Sequence, residues 1–142
     1  VEIRLNTGMH IIVVEEACLS RNVLVKALAI WGYDCVVAES EESAWAAVNA
    51  APSPRLVLMD WFADFLDVEE FMDRVHAEPA LDDVVILGGV PRGAVSGIRR
   101  CIRAGADDVV SRPYDLDEVR LRLHTVSKSM GLVPEGPAFP EE

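Results

Sequence analysis

The sequence predicts an α/β domain built on an open, doubly wound parallel sheet of five strands. Five apolar, β-branched runs alternate with five segments of helical periodicity. Within the runs apolar and polar residues do not alternate, which marks strands covered on both faces. About 120 residues hold these units, too few to close an eight-stranded barrel.

The first run is His10-Ile11-Ile12-Val13-Val14. Ser20 to Trp31 follows with Val23, Leu24, Ala27, Leu28 and Trp31 at helical spacing, and Gly32 stops that helix. Cys35 to Ala38 is a short second strand. Ser40 reads as the N-cap of an alanine-rich helix that runs to about Ala51 and is broken by Pro52 and Pro54. Leu56-Val57-Leu58-Met59-Asp60 is a third strand, apolar until its last residue. Asp67 caps a helix from Val68 to about Ala77, which Glu78-Pro79 ends. Val84 to Leu87 is a fourth buried strand, followed by Gly88-Gly89 and a loop with Pro91 and Gly93. A helix from about Ala94 to Arg103 ends at Gly105, and Asp108 to Ser111 is a short fifth strand. Asp115 caps a last helix that runs to about Met130. The domain thus covers residues 9–130. Residues 131–142, with three prolines and three glutamates after Val133, read as a tail or linker.

Bulk properties narrow the function classes. The chain has 142 residues, one domain's worth. With 13 basic and 24 acidic side chains its net charge is −11, which opposes direct binding to nucleic acid or to anionic membranes. No apolar run approaches the ~20 residues of a spanning helix. Val1-Glu2-Ile3-Arg4 lacks the order of a signal peptide, and the start at Val reads as that of a trimmed or excised piece. Cys18, Cys35 and Cys101 are odd in number and scattered, as free thiols of a cytoplasmic protein would be. His10, His76 and His124 have no ligand spacing.

Open sheets of this kind, with flavodoxin-like strand order 2-1-3-4-5, bind ligands where strands 1 and 3 end. The residues just after the strands are therefore the informative ones. Strand 1 delivers Glu15 and Glu16, strand 3 Asp60, strand 4 Gly88, Gly89 and Val90, and strand 5 Arg112. Three carboxylates at one edge raise each other's pKa. Mg²⁺, which prefers oxygen ligands, would relieve that repulsion. Arg112 could offset part of the charge instead, or the acids could simply sit in solvent. There is no P-loop, no dinucleotide fingerprint and no nucleophile elbow.

Several segments resemble the receiver domains of bacterial two-component response regulators. Ile11 to Glu16 resembles the strand that ends in an acidic pair, Gly32-Tyr33-Asp34-Cys35-Val36 the second strand, and Leu56 to Trp61 the strand that ends in the phosphoacceptor. Ala104-Gly105-Ala106-Asp107-Asp108 followed by Arg112-Pro113-Tyr114 resembles the family's most specific segment. Separations of 44 residues from Glu16 to Asp60 and 52 from Asp60 to Arg112 fit the family without gaps. The resemblance implies a histidine kinase partner, Asp60 as phosphoacceptor, and Mg²⁺ held by Glu15, Glu16, Asp60 and the Phe62 carbonyl. It also implies phosphoryl-binding and switch positions at Gly89 or Val90, at Val109 and at Arg112.

The chain departs from that family pattern at these same places. Glu15-Glu16 replaces a pair that usually contains Asp, and the extra methylene of Glu16 pushes its carboxylate into the metal position. Arg112 replaces a Lys and is not its equivalent. Val90 or Gly89 stands where a Ser or Thr would donate a hydrogen bond, and Val109 where the switch aromatic would be. The expected function is accordingly an atypical receiver, not an enzyme, with weak or absent phosphorylation. It would act through protein contacts or dimerisation, and an effector domain could follow the tail. The alternatives are a working Mg²⁺-dependent phosphoacceptor and a small flavodoxin-like enzyme or cofactor binder. The last predicts a Gly-, Ser- or Thr-rich loop after strand 1, which Ala17-Cys18-Leu19 does not supply. Trp61, Phe62, Phe65 and Leu66 either pack over the strand ends or form a docking patch. Asp107, Asp108, Arg120 and Arg122 are candidates for charge pairing across a symmetric dimer on the face of helix 4, strand 5 and helix 5.

Overall fold

The computed structural model describes residues 9–52 and 54–131. The elements run β1 (His10–Val14), α1 (Leu19–Ile30), β2 (Asp34–Ala38), α2 (Glu41–Ala50), β3 (Arg55–Asp60), α3 (Val68–Ala77), β4 (Val84–Pro91), α4 (Val95–Arg103), β5 (Asp108–Arg112) and α5 (Leu116–Ser129). All strand pairs are parallel and the order is β2-β1-β3-β4-β5, as expected from the alternation.

Two cores lie on opposite faces of the sheet because successive strand residues point to opposite sides. Ile11, Val13, Leu56, Leu58 and Leu87 meet Leu24 and Leu28 of α1 and Val119, Leu123 and Val126 of α5. Ile12, Val14, Val57, Met59 and Ile86 meet Val48 of α2, Phe71, Met72 and Val75 of α3, and Cys101 of α4.

The helix starts follow local chemistry. Ser40 and Ser43 form a reciprocal capping box on α2. Asp67 accepts from the Glu70 amide, and Asp115 from the amides of Asp117 and Glu118. In α1 the cap is Cys18, whose sulfur accepts from the Arg21 amide at 3.4 Å, so this helix begins at Leu19 rather than Ser20. Gly32 closes α1 with a φ of 91°, a conformation that costs glycine little. A 3-10 turn, Pro79–Leu81, links α3 to β4.

The expected end of β4 at Leu87 is corrected. The strand continues through Gly88, Gly89 and Val90 to Pro91. Two paired neighbours hold it: Gly88 and Gly89 stand opposite Met59 and Asp60 on β3, and opposite Val109 and Val110 on β5. These glycines are sites of close approach within a strand rather than turn residues. No described helix is long and apolar enough to cross a membrane. The expected tail from 132 onward lies outside the described residues.

Candidate functional site

The carboxyl ends of β1, β3 and β5 bring a small polar cluster together. Glu15 directly follows β1. Its amide donates to the Ala38 carbonyl at 3.1 Å and extends the pairing with β2 by one residue, while its side chain is wholly buried. Asp60 ends β3 and is 4% exposed, its Oδ1 accepting from the Phe62 amide at 3.0 Å. Arg112 ends β5 and reaches across the sheet. Its Nη2 donates to Glu15 Oε1 at 2.7 Å, and its Nη1 lies 3.3 Å from Asp60 Oδ2.

Arg112 can cross because residue 89 has no side chain. A Cβ on Gly89 would lie 3.0 Å from Arg112 Cδ and 2.7 Å from the Tyr114 oxygen. Tyr114 is the member that sequence reasoning missed: its hydroxyl donates to Glu15 Oε2 at 2.9 Å, and the Arg112 guanidinium lies 5.4 Å from its ring centroid. The residue stood in view after Arg112-Pro113, but only the chain path shows where its hydroxyl ends.

The electrostatics follow from burial. It pushes the Glu15 carboxyl above its ordinary range; Arg112 pulls it back only in part, and nearby Asp60 adds to the rise. For Arg112 burial works against the charge, yet Glu15, Tyr114 and Asp60 together raise its pKa. Burial, and then the negative charge of Glu15, push the Tyr114 phenol up, so it is a hydrogen-bond donor at neutral pH.

Glu16 is exposed and does not join the cluster, so the expected convergence of three carboxylates is corrected to two. The cause is alternation: Glu15 points into the crevice, and its neighbour points out. Gly89 borders the cluster, whereas Val90 is 1% exposed and packs into the α3–α4 core. Val109 is half-buried beside that core. Of the loop after Asp60, Trp61 and Leu66 are buried and Phe62 is 44% exposed, which favours packing over the strand ends.

The four charges assigned to one dimer face do not share a face. Arg122 pairs with Asp108 at 3.6 Å, and both line a groove with Ile98, Ile102, Val109 and Leu121. Arg120 lies over the Trp31 ring instead, because residues two apart on a helix point in nearly opposite directions. Asp107 turns back to accept from the Ile86 amide at 2.8 Å.

Mg²⁺ does not fit the side chains as they stand. The four oxygens of Glu15 and Asp60 are engaged by Arg112, Tyr114 and the Phe62 amide. Among the described residues no three His, Cys, Asp or Glu side chains group closely enough to hold a metal. The internal guanidinium stands where an external cation would balance the acids.

Fold and cluster together define a doubly wound α/β domain with buried carboxylates at the sheet's switch point. No family model matches the chain. It is 27% identical over 124 residues to the phosphate regulon transcriptional regulatory protein PhoB of Pseudomonas aeruginosa, covering 87% of this chain and 54% of that protein. It is 22% identical over 119 residues to the chemotaxis protein CheY homologue of Campylobacter jejuni, covering 83% and 92%. The receiver domain of the sensor histidine kinase PA1611 from Pseudomonas aeruginosa, solved with magnesium in its active-site cleft, superposes with a TM-score of 0.73 at 22% identity, covering 87% and 98%. Over most of its length the chain is thus similar to response regulators of two-component systems, and it has the fold of a receiver domain. It spans about half the length of the PhoB relative.

Proposed function

We propose that this is an atypical receiver: it keeps the fold, takes up phosphate on Asp60 weakly or not at all, and signals through protein contacts. The observation that carries this reading is the Arg112 guanidinium bridging Glu15 and Asp60. An internal cation balances the acids, and Gly89 and Val90 offer no hydroxyl to a phosphoryl oxygen. The domain is residues 9–130; it is not an enzyme, works in the cytoplasm, and touches neither nucleic acid nor membrane directly. Its partners are a histidine kinase or another signalling protein, and an effector domain beyond the C-terminal tail. Incubation with Mg²⁺ and acetyl phosphate, read by intact mass, is expected to yield no added phosphoryl group that disappears in Asp60→Ala. Stoichiometric labelling that depends on Asp60 would establish the second reading, a working phosphoacceptor. The place of Asp60 at the end of β3 and the magnesium in the PA1611 cleft favour that reading.

The contact surface is the groove between α4, β5 and α5. Ile98, Ile102 and Leu121 are 39%, 50% and 46% exposed around it, with Asp108, Asp117 and Glu118 on its rim. Arginines 99 and 103 on α4 and the acids on α5 suit a two-fold pairing of two copies. Sedimentation is expected to give a concentration-dependent dimer that Ile102→Glu weakens by about tenfold or more, the effect of burying an unpaired charge. A wild-type monomer at all concentrations would refute this surface.

A further inference from the structure

The Tyr114 hydroxyl and a side chain at position 89 contend for one volume. A Cβ on Gly89 would lie 2.7 Å from that hydroxyl, which is closer than nonbonded carbon and oxygen approach. The hydroxyl itself is 2.9 Å from Glu15 Oε2, the oxygen that Arg112 does not take. The phenol therefore stands where it does only because residue 89 is glycine. It completes the hydrogen bonding of a carboxylate whose side chain has no exposure at all. Its ring also backs the guanidinium that holds Asp60.

We infer that Gly89 and Tyr114 act as an interlock, in which the phenol fills the place of the missing side chain and positions Glu15 on Arg112, closing the Asp60 crevice to an outside divalent cation. Tyr114 is a positioning residue: it touches Glu15, not the incoming ion. The inference rests on the reading of the crevice as closed and adds which residues close it. Gly89 has two effects in this arrangement. It removes the hydroxyl that a Ser or Thr would offer to a phosphoryl group, and it admits the phenol that satisfies Glu15 from within. The loss of the hydroxyl and the seating of the phenol are thus one structural change.

The test is a double-mutant cycle on the full chain, with Mg²⁺ alone titrated by calorimetry and thermal unfolding followed in parallel. Tyr114→Phe frees one oxygen of Glu15 and binds Mg²⁺ about tenfold more tightly than wild type, the scale of one hydrogen bond to a charged group. Gly89→Ala pushes the phenol off Glu15, whereas Arg112 Cδ, 3.0 Å from the new Cβ, has only to give by a few tenths of an ångström; affinity shifts in the same direction. The double variant gains no more than Tyr114→Phe alone, because both changes break one contact. Gly89→Ala also lowers the Tm less in the Tyr114→Phe background, where the contending oxygen is gone. Additive gains, an equal Tm cost in both backgrounds, or no Mg²⁺ binding by any variant would each overturn the interlock. If Gly89→Ala does not fold, Tyr114→Phe alone decides: an unchanged affinity refutes the inference. Stoichiometric phosphorylation of wild type alongside a non-additive cycle would overturn the proposed function and leave the interlock as a contact that weakens cation binding without excluding it. Additivity with an unlabelled wild type would do the reverse.

Discussion

Arg112→Met is expected to lower stability by about 3 kcal/mol at neutral pH in urea unfolding, because it leaves two buried carboxylates without a cation. The side chain is of similar length, so the loss reads charge rather than volume. The loss lies at the low end of the range for broken buried pairs because the Arg112 side chain is 23% exposed and water reaches part of the bridge. Glu15 and Asp60 have almost no such access, at 0% and 4% exposure. The deficit depends on pH with a definite sign. Burial already holds the Glu15 carboxyl above its ordinary range, with Arg112 as the main opposing influence. Removing Arg112 raises it further. The folded state then keeps a proton that the unfolded chain has lost, so stability falls as pH rises through the raised value and recovers below about pH 5. Glu15→Gln in the Arg112→Met background restores most of the loss at pH 7, since the amide oxygen still accepts from Tyr114. A pH-independent deficit, or no rescue by Gln, would show that Arg112 acts through packing alone.

Gly88→Ala has the second large effect, about 1–3 kcal/mol of destabilisation from overpacking. A Cβ there would overlap the Cys101 sulfur and stand 3.1 Å from Cε3 of the Trp61 ring. Both neighbours are buried, Cys101 wholly and Trp61 with 5% exposure, so neither can swing aside into solvent. Burial also pushes the Cys101 thiol up to about 12, with Asp108 adding to the rise, so it packs as a neutral sulfur at neutral pH. Cys101→Ala removes the overlapping atom. In that background Gly88→Ala costs less, and the difference between the two costs measures the contact. Equal costs in both backgrounds would place the strain at Trp61 instead. The position matters to the site because Trp61 and Asp60 are adjacent on one chain path, and Gly88 lies beneath the ring.

Much of the fold is legible in the amino-acid sequence. Five apolar runs and the helix stops at Gly32, Pro52, Pro79 and Gly105 lead to the element order, because strand and helix periodicity are local properties of the chain. Asp67 and Asp115 mark their helices for the same reason: a cap acts on amides two or three residues away. The end of β4 is not legible in this way. Gly88-Gly89 reads as lying just past the strand's end in one dimension, and only pairing with β3 and β5 on both sides makes it strand.

The site divides along the same line. The sequence alone determined that acids, a glycine pair and an arginine meet at one edge of a parallel sheet, since alternation of β and α places every strand end on the same side. It also singled out Asp60, Glu15, Gly89 and Arg112 as members of that edge. Only the tertiary structure decided that Glu15 faces inward and Glu16 outward, that Gly89 rather than Val90 borders the cluster, and that Arg112 bridges Glu15 and Asp60. It likewise decided that Arg120 and Arg122 serve different faces. The physical reason is range: Arg112 and Glu15 are 97 positions apart in the chain and 2.7 Å apart in space. Periodicity reports which side of an element a residue takes, but the meeting of side chains across a sheet depends on strand order, register and the volume left by a glycine between them.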